Sequence, residues 1–419
     1  MVSSIHARLS LRQRQAHVPA SVFLTLTERC HLRCQQCYLV EDPRGELTLE
    51  EVKDLLDQLA EMGTTRVTFT GGEPMLRPDL FEILEYAHQH GFWISLFTSG
   101  TPCNPTRCAK LKAAGVDCVS VTLYGMRPEP HDRITEVPGS WEKTMRGLEH
   151  LQAAGLRTEI KFLQMTLNLG ELLPTHQFAK SIGARFVMDF KITATHDRKR
   201  HPLNLQVQEE ELVQLYHQMA EQEAMFARQL EPRKHTPKTG MCGAGTTRMV
   251  IGSDGKVYPC MDYIEVLGDA RTHSLRDIWS NEAAQKVRQV RFYTHPKCQP
   301  CPDKAHCSYC PSTALVDTGD PSTPSETLCL LARVRKRVFH ERQRQIGPQD
   351  KLLQPPALQA QDQPASAGCG GSCACSAIPE GLQQLLERLE QKTSTSALRT
   401  SAKPQQSPDA VSAILVKSP

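Results

Sequence analysis

No stretch of the 419 residues approaches 18 consecutive apolar side chains, about the length at which a segment reads as a membrane-spanning helix. The start, MVSSIHARLSLRQRQAHVPA, is basic but carries no apolar core and no small-residue cleavage site, so it does not read as a secretory signal. These two absences argue against membrane insertion and secretion, and for a cytoplasmic protein. An excess of one charge is missing too: 49 Lys and Arg stand against 46 acidic residues, a formal net charge of +3. The cations are spread along the chain, which argues against a nucleic-acid partner. One short basic stretch, HDRKRH at 196–201, reads as a solvated loop. Internal repeats are absent beyond an alternation of strand and helix patterns.

Cysteine, by contrast, is abundant, with sixteen in the chain. A reducing compartment keeps thiols free, so metal sites rather than a disulfide framework become the leading explanation. Cys103, Cys108 and Cys118 stand alone and read as ordinary thiols. The other thirteen fall into three groups.

The length suggests two or three domains of roughly 100–200 residues each. From residue 21 short β-rich runs alternate with helical patterns: SVFLTLT, RVTFT, WISLFTS, DCVSVTLYG, RTEIKFLQM and RFVMDFKI supply six strands. Helical segments such as LTLEEVKDLLDQLAEM and SWEKTMRGLEHLQAAG lie between them. This predicts an α/β fold, a partial (β/α)6 TIM-like barrel over 21–192, with a doubly wound sheet as the alternative. Residues 1–20 form an N-terminal extension, and 193–241 read as a loop followed by one polar helix over 208–231. The cysteine-dense segment 242–335 holds too little apolar content for a core of its own and would need metal to hold it. Residues 336–419 read as a helix end followed by a flexible, Pro-, Gln-, Ala- and Ser-rich tail with one short amphipathic helix.

The first cysteine group is ERCHLRCQQCY, with Cys30, Cys34 and Cys37 directly after the first strand. That is the loop face where (β/α) barrels carry their chemistry. Structural zinc wants four closed ligands, and here there are three. A four-iron cubane held by three thiolates keeps one iron open for a ligand; zinc with a distant fourth ligand such as His31 is the competing reading. TGGEP follows the second strand. Its Gly71 and Gly72 permit close backbone approach, Glu73 can accept from an ammonium group, and Pro74 closes the segment.

In the second group, Cys242 and Cys260 frame a hairpin, SDGKVYPC, that would bring them together. Cys298, Cys301, Cys307, Cys310 and Cys329 follow, making seven thiolates, one short of two four-ligand sites. Iron–sulfur clusters and zinc both remain open on spacing alone. Cys369, Cys373 and Cys375 form the third group, in the tail. They read as an adventitious metal binder, as a tethered cysteine-rich peptide substrate or its mimic, or as a relay for sulfur or electrons.

CHLRCQQC is the CX3CX2C signature, and through about residue 191 the chain resembles the radical S-adenosylmethionine (SAM) enzymes. The resemblance implies that Cys30, Cys34 and Cys37 hold a 4Fe–4S cluster whose open iron is chelated by SAM, and that one-electron cleavage yields a 5′-deoxyadenosyl radical. It implies that Tyr38 lies near the adenine and that Gly71, Gly72, Glu73 and Pro74 hold the methionyl amine. Ser99 and Thr122 match contacts to the methionyl and ribose parts, and Arg133, in an HDR segment, a carboxylate or ribose ligand. The second group is similar to the SPASM extension of these enzymes, which implies a first auxiliary 4Fe–4S cluster on Cys242, Cys260 and Cys310. A second would rest on Cys298, Cys301, Cys307 and Cys329.

The chain departs from the pattern in two places. Cys307 and Cys310 are spaced CX2C instead of CX3C, and no cysteine stands shortly before Cys242, where only His235 is available. Sulfatase-maturing relatives carry an Asp directly after the cysteine matching Cys260. Here Met261 intervenes and Asp262 is the remaining candidate for a catalytic base.

The implied activity is hydrogen-atom abstraction from a ribosomally made peptide or small protein, leading to a thioether or carbon–carbon crosslink. A low-potential donor such as flavodoxin or ferredoxin would supply electrons, and a leader-binding domain would be a separate protein. Modification of a tetrapyrrole side chain is the second reading, and a non-catalytic metal-binding scaffold the third.

Overall fold

A computed structural model of the chain describes residues 12–39, 45–234, 242–291 and 295–345. Six strands, β1 (Ser21–Thr25), β2 (Arg66–Thr70), β3 (Trp93–Thr98), β4 (Cys118–Thr122), β5 (Thr158–Leu163) and β6 (Arg185–Asp189), pair in parallel in chain order. All six coincide with the runs read from the sequence. Their order never reverses, so the sheet has none of the switch points that define a doubly wound fold. The order is that of the expected partial (β/α) barrel. Between the strands lie α1 (Leu49–Glu61), α2 (Leu80–Gln89), α3 (Pro105–Ala113), α4 (Pro128–Thr135), α5 (Ser140–Ala153) and α6 (Leu172–Ser181).

Local chemistry accounts for these elements. Helix α1 opens with a capping box in which the Thr48 side chain accepts from Glu51 N–H and Glu51 accepts from Thr48 N–H, two otherwise orphaned donors satisfied at once. Its Val52, Leu55, Leu56 and Leu59 form one buried stripe. Strand β3 alternates, with Ile94 and Leu96 fully buried under the helices and Phe97 turned into the barrel.

Two features escaped the periodicity. Helix α4 forms within the HDR segment, started by Pro128 at its first turn and ended by Glu136 in the left-handed conformation. The single helix expected over 208–231 is two, α7 (Glu209–Gln222) and α8 (Ala224–Gln229), because Glu223 between them is extended.

The cysteine-rich segment continues the barrel sheet. Strand β7 (Arg248–Ile251) pairs in parallel with β1, β8 (Lys256–Tyr258) returns against β7 as the expected hairpin, and β9 (Gly268–Asp269) completes nine strands among the described residues. Helices α9 (Leu275–Ser280), α10 (Glu282–Gln289), α11 (Pro311–Thr318) and α12 (Glu326–Gln345) follow. Met249, Ile251, Val257, Ile278 and Trp279 belong to the same apolar cluster as Val22, Leu24 and Phe69. The segment's thin apolar content is therefore pooled with the barrel's. A second cluster joins Leu212, Leu215 and Met219 of α7 to Leu331, Val334 and Val338 of α12.

Candidate functional site

The C-terminal ends of all six parallel strands open into one cavity of about 720 Å³. Cys30, Cys34, Cys37 and Tyr38 line it from the loop after β1, Gly71 and Gly72 from the loop after β2, Ser99 from that after β3, and Thr122 from the end of β4. Met261 and Asp262, from the turn after β8, line it too. The sheet has thus brought residues from six strand ends and the turn after β8 to one mouth. None of Cys103, Cys108 and Cys118 is among the lining residues.

The loop after β2 docks against the backbone that leads into the cysteines. Gly72 N–H donates to Thr27 O at 2.8 Å, and Glu73 N–H to Arg29 O at 2.9 Å. A Cβ on Gly71 would stand 2.3 Å from Thr27 O, and one on Gly72 2.4 Å from Arg29 O. Both glycines are required by contact with the cysteine loop itself.

Glu73 is fully buried. Its Oε1 accepts from Met75 N–H at 3.2 Å and Thr98 Oγ1–H at 2.8 Å, and its Oε2 from Ser99 N–H at 2.9 Å and Ser99 Oγ–H at 2.6 Å. Protein donors thus occupy both oxygens of the carboxylate. Glu73 ties the loops after β2 and β3 together, and Pro74 begins the short 3₁₀ turn that Glu73 caps.

Arg133 lies away from the cavity. Its side chain is exposed, while its carbonyl accepts from Gln35 Nε2 at 2.8 Å. The neighbour that faces inward is His131, buried to 1 % exposure. Its Nδ1 accepts from Tyr124 N–H at 3.3 Å, so Nε2 carries the proton, and it has no partner among the described residues. Burial drives the His131 pKa down to about 4, keeping the ring neutral. Gln36 donates to the Tyr124 hydroxyl and leaves its Oε1 equally unpartnered. A donor and an acceptor without protein partners thus stand beside Cys34, whose thiol burial lifts to about 12; Cys30 is lifted to about 11, also by burial first.

Across the cavity, Lys191 Nζ donates to Asp262 Oδ2 at 2.5 Å and lies 3.9 Å from Cys310 Sγ. Burial alone would raise the Asp262 pKa, but Lys191, His196 and Arg248 outweigh it and hold the carboxylate below its usual range. A paired carboxylate of this kind is a poor proton acceptor. No sequence signal linked these two residues, which lie 71 positions apart. The basic stretch at 196–201 is the solvated loop expected. It is exposed, yet it rims the site: Asp197, Lys199 and His201 line the cavity and the His196 ring stands 5.0 Å from that of Tyr38.

Cys242, Cys260 and Cys310 interact electrostatically with one another, and Cys260, buried, meets Ser312 Oγ at 3.0 Å. Cys329 interacts with Cys298 and Cys301, and Tyr309 with Cys298 and Cys307. Cys310 also packs with Cys298 and Cys307 around Tyr309, so the two predicted groups adjoin at Cys310. Among the described residues no three His, Cys, Asp or Glu side chains converge closely enough to hold a single metal ion, as zinc with ligands at about 2.3 Å requires. His235, Cys369, Cys373 and Cys375 lie outside the described residues.

Residues 24–176 match the radical SAM superfamily and residues 242–302 the SPASM iron–sulfur cluster-binding domain. An AdoMet-dependent heme synthase of Methanosarcina barkeri is 32% identical over 332 residues, covering 73% of this chain and 94% of the relative. A PqqA peptide cyclase of Ruegeria pomeroyi is 29% identical over 325 residues, covering 73% and 85%. Among solved structures, Streptococcus suis SuiB bound to precursor peptide SuiA superposes with a TM-score of 0.62 at 15% identity, covering 77% of this chain and 80% of that one. The chain belongs to the radical SAM superfamily and carries a SPASM domain. It is an enzyme of the oxidoreductase type, with iron–sulfur clusters and SAM as its cofactors.

Proposed function

We propose that the enzyme abstracts a hydrogen atom from a ribosomally made peptide or small protein and directs the product toward a thioether or carbon–carbon crosslink. The observation that carries this reading is a single cavity whose walls are the three-cysteine loop on one side and Asp262 and Lys191, beside Cys310, on the other. A substrate held there meets both cluster-bearing loops. Two of the cations lining the cavity, Lys191 and Lys199, are already paired, with Asp262 and Asp197, which suits a peptide better than a polyanionic macrocycle. The likeness to a PqqA peptide cyclase over 85% of its length supports the same class.

The residues present fit the cofactors. Cys30, Cys34 and Cys37 offer three thiols to one cavity, and the unpartnered His131 Nε2–H and Gln36 Oε1 beside them match a ligand with both an acceptor and a donor. Cys242, Cys260 and Cys310 would hold one auxiliary cluster and Cys298, Cys301, Cys307 and Cys329 the other. When bound, this set supplies a 5′-deoxyadenosyl radical by one-electron cleavage of SAM. The protein's part is to position: Glu73, Thr98 and Ser99 lock the loops after β2 and β3, and Gly71 and Gly72 admit the cysteine loop. Tyr38, its ring 5.0 Å from that of His196 and tilted 45° to it, would lie near the SAM adenine; Thr122 would offer its hydroxyl to the ribose, and Ser99, whose proton goes to Glu73, an acceptor oxygen to the methionyl group. Asp262 is assigned to Lys191 and not to base catalysis. A flavodoxin or ferredoxin would deliver the electron and a separate protein the leader contact. Among the described residues no helix is long and apolar enough to cross a membrane, in keeping with work in the cytoplasm.

A second reading, modification of an iron tetrapyrrole side chain, is favoured by the likeness to a heme synthase over 94% of that protein. The test is SAM cleavage by the reduced, anaerobically reconstituted enzyme, with iron counted in wild type and in the Cys30, Cys34 and Cys37 triple alanine variant. The expected result is about twelve irons falling to about eight, with 5′-deoxyadenosine formed only by wild type. Iron coproporphyrin is then added: a Soret shift with side-chain conversion would transfer the assignment to the second reading. No SAM cleavage in wild type would overturn both.

A further inference from the structure

Lys191 lies two residues beyond β6, where the barrel meets the turn that carries Cys260, and positioning of SAM leaves it without a task. Its side chain is 17% exposed and its partner's 26%. The ammonium contacts Asp262 Oδ2 at 2.5 Å and Cys310 Sγ at 3.9 Å, and it faces the cavity. The other ionisable groups bearing on the pair are Asp189, on β6, His196, on the loop after it, Arg248, on β7, and Tyr38 and Cys260, which both interact with Asp262. An iron–sulfur cluster gains one negative charge on reduction. A fixed cation beside one of its thiolates, donating toward that sulfur, therefore favours the reduced form. A carboxylate beside the same cation offsets it.

We infer that Lys191 is a positioning residue that sets the reduction potential of the auxiliary cluster held by Cys310, with Asp262 as its counter-charge. This rests on the assignment of Cys310 as a cluster ligand. The pair places opposite charges, from two segments 71 residues apart in the chain, at the wall shared by substrate cavity and auxiliary cluster. That wall is where an electron left on a product radical would depart. Lys191 makes the cluster a better acceptor, and Asp262 limits the effect.

The test is an EPR-monitored redox titration of the fully reconstituted enzyme, with iron counted per chain. K191M is expected to lower the midpoint of one auxiliary signal and leave the radical cluster where it was, and K191R to restore it. D262N, which keeps the ammonium and removes its counter-charge, is expected to raise the same midpoint. A merely structural role predicts neither the opposite signs nor the arginine rescue. Equal midpoints in all three variants, or shifts of one sign in K191M and D262N, would overturn the inference. If K191M fails to retain iron, D262N alone decides, since it preserves both Lys191 and Cys310. C310S separates the two layers of the argument: its loss of an auxiliary signal upholds the ligand assignment whatever Lys191 does, and an unchanged spectrum removes the ligand and the inference with it.

Discussion

Replacing Glu73 by Gln exchanges one carboxylate oxygen for an NH2 group at nearly constant volume, and the structure says why it should not be tolerated. Each carboxylate oxygen accepts from a backbone N–H, Met75 at Oε1 and Ser99 at Oε2. Those donors cannot reverse, so whichever way the new amide is turned its NH2 faces an N–H. One buried backbone donor is left unsatisfied, at about 1–3 kcal/mol, and the remaining bonds lose their ionic character. Thr98 and Ser99 hydroxyls can rotate and recover part of this. A net cost of about 3 kcal/mol corresponds to a fall in Tm of about 4 °C for an ordered region of this size. Because Glu73 joins the loops after β2 and β3, the same change should weaken SAM binding. Anaerobic thermal unfolding and equilibrium dialysis with labelled SAM measure the two effects. An E73Q enzyme with wild-type Tm and SAM affinity would refute the claim that the carboxylate is a structural tie.

At Gly72, alanine would set a Cβ 2.4 Å from Arg29 O and 2.6 Å from Glu28 O, a collision with backbone that costs upward of about 1–3 kcal/mol. G72A should therefore displace the cysteine loop, and iron analysis should show loss of about four irons from the radical cluster with the auxiliary signals kept. His131 gives a pH signature. Its pKa is about 4 when folded against 6.5 when free, so the unfolded chain binds the extra proton and stability falls as pH drops from about 6.5 to about 4. The loss is full below about 4, absent above about 6.5, and at most about 3 kcal/mol. Denaturation midpoints measured across that range should fall more steeply for wild type than for H131Q; parallel curves would show that the ring is not held neutral by burial.

Much of this was legible from the chain alone. The spacing of Cys30, Cys34 and Cys37 after a strand located the site, because ligands on one short loop need no fold to bring them together. The six strands and their helices were readable because side-chain periodicity is a local property. What the sequence could not convey were contacts between distant residues. Glu73 looked like a free carboxylate until β3 delivered Thr98 and Ser99 to both of its oxygens. Arg133 and His131 lie two positions apart, but only the fold turns one outward and buries the other. Lys191 carries no motif, and it meets Asp262 because β7 adds to the edge of β1 and swings the auxiliary turn over the barrel mouth. The sequence by itself determined the chemistry, since cofactor ligands are chosen by residue type and spacing. Tertiary structure decided which polar groups remain free to act, because a hydrogen-bonding group is spent or available according to the partners that folding brings within about 3 Å of it.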